Sequence, residues 1–110
     1  MLSLEYQKFV ETNWVGAADA MDNLSITDLF VMTTGLGGEV GEVLEKLKKL
    51  VRDGTYDGEG LARELGDVLF YLTTIARKFG FSLEDIMQIN VDKLNDRAAR
   101  GVMRGDGDNR

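Results

Sequence analysis

The sequence predicts an all-α protein, a four-to-five-helix bundle, on three observations. Apolar residues recur at i, i+4, i+7, i+8 and i+11, which is one face of a helix. Proline is absent from all 110 residues, so no proline breaks those runs. Ser or Thr stands before the runs and Gly after them, as at helix starts and stops. A chain of this length forms one domain with a modest core. The helical pattern fills residues 1–100; residues 101–110 are a glycine-rich tail.

Ser3 is the expected N-cap of a first helix, with Tyr6, Phe9, Val10, Asn13 and Trp14 on one face. Phe9 and Val10 read as buried. Trp14, at the helix end beside Gly16, reads as core or as a rim aromatic that stacks on a base or a partner. Gly16 to Ser25 reads as a loop. Thr27 is the expected cap of a second helix, with Asp28 in its first turn, running to Arg52. Gly35, Gly37, Gly38 and Gly41 crowd its middle, so packing must hold it and a kink can form near Gly37-Gly38. Lys46, Lys48, Lys49 and Arg52 suit its C-terminal dipole, and Asp53-Gly54 ends it. A third helix is expected from about Gly60 to Phe79, stopping at Gly80. Ser82 caps a fourth, with Asp85 in the capping-box position. Leu83, Ile86, Met87, Asn90, Val91 and Leu94 make its inner face, and Asn90, Lys93 and Arg97 a polar stripe. The tail carries no helical pattern and is either disordered or folded against something else.

The second and third helices carry one motif twice. Gly38-Glu39-Val40-Gly41-Glu42-Val43-Leu44 returns, 25 residues on, as Arg63-Glu64-Leu65-Gly66-Asp67-Val68-Leu69. The flanking apolar positions keep the same offset. Residues three apart are helix neighbours, so Glu39 with Glu42, and Glu64 with Asp67, sit on equivalent flanks of the apolar face. Two helices packed by those faces bring four acids to one edge of their seam. Glycine inside a helix costs roughly 1 kcal/mol against alanine. Gly41 and Gly66, at equivalent places, therefore imply a close approach there. A single Glu-x-x-Glu is common on solvated helices, and Glu45, opposite the stripe, reads as solvated. The repeat is harder to dismiss.

Four converging carboxylates repel unless one is protonated or a cation intervenes. There is no histidine and no cysteine, so any metal is held by oxygen, which points to Mg²⁺ or Mn²⁺. An open site of that kind can bind a polyphosphate and activate a water. Lys46 shares the flank of Glu39 and Glu42, and Tyr71 is its counterpart in the second copy. Lys93 and Arg97 are further cations for a substrate; the bland alternative is pairing with Asp92, Asp96 or the helix dipole. The net charge of −6 argues against a nucleic-acid partner. No apolar run approaches the ~20 residues of a membrane span, and Met1 to Gln7 lack the form of a signal peptide, so a cytoplasmic protein is expected.

Glu39-Val40-Gly41-Glu42 followed by Glu64-Leu65-Gly66-Asp67 resembles the ExxE…ExxD signature of the MazG-like all-α nucleoside triphosphate pyrophosphohydrolases. Asn90-Val91-Asp92-Lys93-Leu94-Asn95-Asp96-Arg97 resembles that family's NxxKLxxR segment, and the end of the chain resembles the tail of its short stand-alone members. The resemblance implies conversion of an NTP or dNTP to the monophosphate and pyrophosphate. It implies Glu39, Glu42, Glu64 and Asp67 as Mg²⁺ ligands. It places Asn90, Lys93 and Arg97 on phosphate or sugar, with Lys46 a further candidate, and Asn13 and Trp14 near the base. It also implies assembly into a dimer or tetramer. One departure is Gly38, where many members carry a further acid; fewer metals or altered water activation would follow. A dUTPase or dCTPase specificity and phosphoribosyl-ATP pyrophosphohydrolase are alternatives within the superfamily. Outside it stands a non-catalytic helical oligomerisation module. A di-iron bundle would need Glu-x-x-His pairs, and there is no histidine.

Overall fold

The computed structural model describes residues 1–14, 25–105, 107 and 108. They form four helices and no strand: α1 Ser3–Asn13, α2 Ile26–Asp53, α3 Gly58–Lys78 and α4 Leu83–Ala99. The loop expected from Gly16 lies outside the described residues up to Ser25.

The long α2 and α3 make the principal packing of the molecule. Only residues 54–57 link them, so they lie antiparallel as a helical hairpin. The start of α2 is capped by Ser25, whose hydroxyl accepts from the Asp28 amide at 2.9 Å, not by Thr27. Its middle stays helical through all four glycines. Gly54 ends it in the left-handed region, φ 70°, as the sequence predicts. α3 begins two residues earlier than expected because Asp57 caps it, accepting from the Gly60 amide at 2.9 Å. Gly80, φ 83°, turns the chain into α4, where Ser82 and Asp85 form the predicted reciprocal cap.

α1 lies across α3 and the start of α4. Leu2, not Ser3, is its N-cap residue, and the Leu2 amide donates to Glu5 at 3.0 Å. Ser3 instead bonds to Glu84 on α4. Gln7 is buried between the helices. Its carbonyl accepts the Leu83 amide at 3.0 Å, one of the donors a helix start leaves unpaired. Its amide group donates to Ser3 O at 3.2 Å and Glu84 at 3.3 Å.

The buried apolar residues among those described are few: Val10, Met32, Ala76 and Leu83. Phe9, expected inside, is half exposed, and so are Met87 and Val91 of the expected inner face of α4. Thr73 and Thr74 are buried and bond the Leu69 and Phe70 carbonyls at 2.7 and 3.0 Å, so their hydroxyls add no unpaired polar group to the interior. No helix is long and apolar enough to cross a membrane.

Candidate metal and nucleotide site

The hairpin brings three of the four acids together. One carboxylate oxygen from each of Glu39, Glu64 and Asp67 lies within 4.8 Å of the other two. Glu39 comes from α2 and the others from α3, so three of the four acids expected at the seam converge there. Glu42 is exposed and stands outside this group. It remains near enough to act on Glu39 through charge. The Glu39 carboxyl is held above the usual glutamate value, first by burial and then by the charges of Asp67, Glu64 and Glu42.

Those three acids fit a hard divalent cation. Oxygens around an octahedral ion at about 2.1 Å stand roughly 3 to 4 Å apart, so the observed spacing needs only side-chain adjustment. Among the described residues, no lysine or arginine bonds any of the three: Arg63 takes Glu59 and Lys46 takes Asp57. Lys46 lies at the edge of the group and feels the charges of Glu64 and Glu42, but its ammonium bonds Asp57 at 2.8 Å. That bond, followed by the Asp57 charge, raises the Lys46 pKa.

An aromatic cluster sits one turn beyond the acids. Tyr71 follows Asp67 by one turn and packs edge-on against Trp14 and Phe70, with ring centroids 6.3 and 5.7 Å apart. Trp14 is half-buried, and its indole N–H is buried with no hydrogen-bond partner among the described residues. The Tyr71 ring lies directly over Gly35: a Cβ built there would fall 2.3 Å from the ring. Close approach thus occurs at Gly35 and not at Gly41 or Gly66, where a Cβ would meet nothing within 4 Å. Past the aromatics, Thr74 and Lys78 continue the Asp67–Tyr71 face of α3 into a cavity of about 290 Å³ beside Trp14. Asn13, by contrast, is exposed and donates to the Phe9 carbonyl at 2.8 Å.

The α4 stripe is divided. Asn90 lines a groove of about 630 Å³ with Tyr6, Leu69, Leu72 and Met87. Lys93 and Arg97 face the tail, both bonding Asp108. They do not pair with Asp92 or Asp96, which take Gln88 and Arg100 instead. Apart from Asn13, the predicted residues therefore fall into three places: the acids with Lys46, Tyr71 and Trp14, the Asn90 groove, and the Lys93–Arg97 pair.

Sequence reading missed Tyr6, Asp57 and Gly35. Burial, then the Asp67 charge, raises the Tyr6 pKa, which puts α1 beside the acid group. Nothing local marks Tyr6, because its neighbour is set by the packing of α1 on α3. Asp57 was legible as an Asp before Gly-Glu-Gly, a helix-start signal.

Residues 30–102 match the MazG nucleotide pyrophosphohydrolase domain. The chain is 43% identical over 91 residues to the Gene 37 protein of Mycobacterium phage L5, covering 78% of this chain and 80% of that one. No solved structure matches the chain. With the domain matched over most of the chain and its acidic motif gathered at the α2–α3 seam, the chain belongs to the MazG nucleotide pyrophosphohydrolase family.

Proposed function

We propose that the protein hydrolyses a nucleoside or deoxynucleoside triphosphate to the monophosphate and pyrophosphate, with Mg²⁺, or Mn²⁺ in its place, held by Glu39, Glu64 and Asp67. The observation that carries this reading is the meeting of those three carboxylates across two helices. Glu42 is the fourth ligand of the proposed set, recruited by a side-chain swing. The bound cation supplies charge neutralisation for the triphosphate and a more acidic water for attack on the α-phosphorus. The chain's own groups orient the rest. Lys46 adds a positive charge at the edge of the acids. Tyr71 and Trp14 offer a stacking surface one turn away, at a distance suited to the nucleoside end. Asn90 offers a side-chain amide to sugar or phosphate, and Lys93 and Arg97 offer phosphate-binding donors on α4.

Self-association belongs to the same reading. A protein of this mass exposes about 6,100 Å² as a monomer, and this chain exposes 7762 Å². Its radius of gyration is 16.6 Å where about 13 Å is usual for its length. Phe30, Val40, Leu44, Leu47 and Leu50 of α2 and Leu65 and Leu69 of α3 are exposed along the hairpin. A second copy on that face would cover them and enclose the acids, and a dimer or tetramer of this chain is the arrangement proposed.

The test is pyrophosphate release from a panel of NTPs and dNTPs with and without Mg²⁺. Activity with at least one of them is expected. Glu39→Gln and Asp67→Asn are each expected to lower it by at least about 10²-fold, as loss of a charge-stabilising group does, with helicity by circular dichroism retained. Wild-type protein inert across the panel with either metal would leave a helical interaction module as the reading.

A further inference from the structure

Within the glycine-rich end of the chain, Val102, Gly107 and Asp108 fold back onto α4. Gly101 follows the helix at φ 70°, and the Val102 amide closes on the Arg97 carbonyl at 2.9 Å. A second left-handed glycine, Gly107 at φ 74°, precedes Asp108. L side chains resist both conformations. Together they aim a carboxylate at two cations. Arg97 Nη2 donates to Asp108 Oδ1 at 2.9 Å and to the Gly107 carbonyl at 3.2 Å. Lys93 Nζ donates to the same Asp108 oxygen at 3.1 Å.

The two sides of this contact are unequal. The Arg97 side chain is 6% exposed, whereas that of Asp108 is 79% exposed. The guanidinium is built into the fold, and the carboxylate is an occupant reachable from solvent. The Arg97 Nε is buried with no hydrogen-bond partner among the described residues, so Asp108 and Gly107 do not use all that this arginine can donate.

We propose that Lys93 and Arg97 form an anion site on α4 whose resident ligand is the chain's own Asp108, which a phosphate chain must displace in order to bind there. The proposal rests on the reading that this pair contacts substrate phosphates, and adds a built-in competitor to it. A single carboxylate is a weak rival for a di- or triphosphate, which carries more charge and more acceptor oxygens. As a tethered group, however, it is always present. It reduces the fraction of molecules ready to bind, and the apparent Kd rises in inverse proportion to that fraction.

The decisive measurement is calorimetric titration of inorganic pyrophosphate into the full chain in EDTA, where the acid group cannot hold the anion through a metal. Asp108→Ala is expected to tighten binding about three- to tenfold, the effect of removing a competitor that occupies most of the population. Gly107→Ala, which disfavours the turn without touching the carboxylate, is expected to shift Kd the same way. Adding Lys93→Ala to Asp108→Ala should erase the gain. In turnover, Asp108→Ala should lower KM by the same factor with kcat unchanged. Pyrophosphate binding that is unchanged, weaker or undetectable in both Asp108→Ala and Gly107→Ala overturns the proposal. Tightened pyrophosphate binding with no hydrolysis of any triphosphate keeps the competitor and removes the catalytic reading. Hydrolysis with unaltered KM and Kd in both variants does the reverse.

Discussion

Glu39 carries the largest consequence at the scale of one residue. Burial and three neighbouring acids hold its proton more tightly in the fold than in the unfolded chain. A carboxyl raised in this way contributes stability that is fully present below its unfolded value, near 4.5, and lost as pH rises through its folded value. The metal-free protein is therefore expected to lose stability on that upward passage. Glu39→Gln should raise the Tm of the metal-free protein at neutral pH, and the difference should vanish near pH 4. Added Mg²⁺ should raise the wild-type Tm more than that of the variant, because the cation relieves the repulsion that glutamine has already removed. Thermal scans across pH, with EDTA and with Mg²⁺, check this. A Glu39→Gln variant less stable than wild type in EDTA at pH 7 would mean that the three acids do not strain the fold.

The glycines separate what is packed from what is open. At Gly35 a methyl group would run into the Tyr71 ring, so Gly35→Ala is expected to destabilise by about 1–3 kcal/mol, the usual cost of overpacking. Near-ultraviolet dichroism should change with it, since Tyr71 contacts Trp14 and Phe70. A variant with unaltered Tm and aromatic signal would place the ring elsewhere in solution.

Among the elements, the α2–α3 hairpin was legible because one periodicity runs through both helices with one offset. That offset fixes which flank of each helix carries acid, and antiparallel packing does the rest for Glu39, Glu64 and Asp67. The starts of α1, α2 and α3 were displaced by one or two residues from the sequence reading, since Leu2, Ser25 and Asp57 occupy the cap positions. Neighbouring residues compete for such positions, and only local geometry decides between them. What could not be read was anything set by an element's neighbour. Tyr6 meets the Asp67 charge because α1 packs on α3, and Arg97 meets Asp108 because the tail returns to it. Phe9 and Val91 fit a helical stripe yet are exposed, because a stripe says which side is apolar and not what covers it.

For the whole molecule, four buried apolar side chains among the described residues are a slender core. Against them stands an apolar surface on the hairpin that a chain of this size does not usually leave to solvent. If a second copy covers it, folding and assembly are one equilibrium, and Tm should rise with protein concentration. Gly41 and Gly66 give the sharper test, since within one chain neither has a neighbour to meet. In an isolated monomer, alanine at either place should stabilise the helix by roughly 1 kcal/mol. In an assembly whose backbones approach at those points, the same substitutions should weaken association. Light scattering after size exclusion should find wild type as a dimer or tetramer, and Gly66→Ala shifted toward monomer on dilution. A monodisperse monomer for wild type across micromolar concentrations, with Gly66→Ala simply more stable, would show that the open hairpin face is the finished surface. The acids would then have to work without a second copy to enclose them.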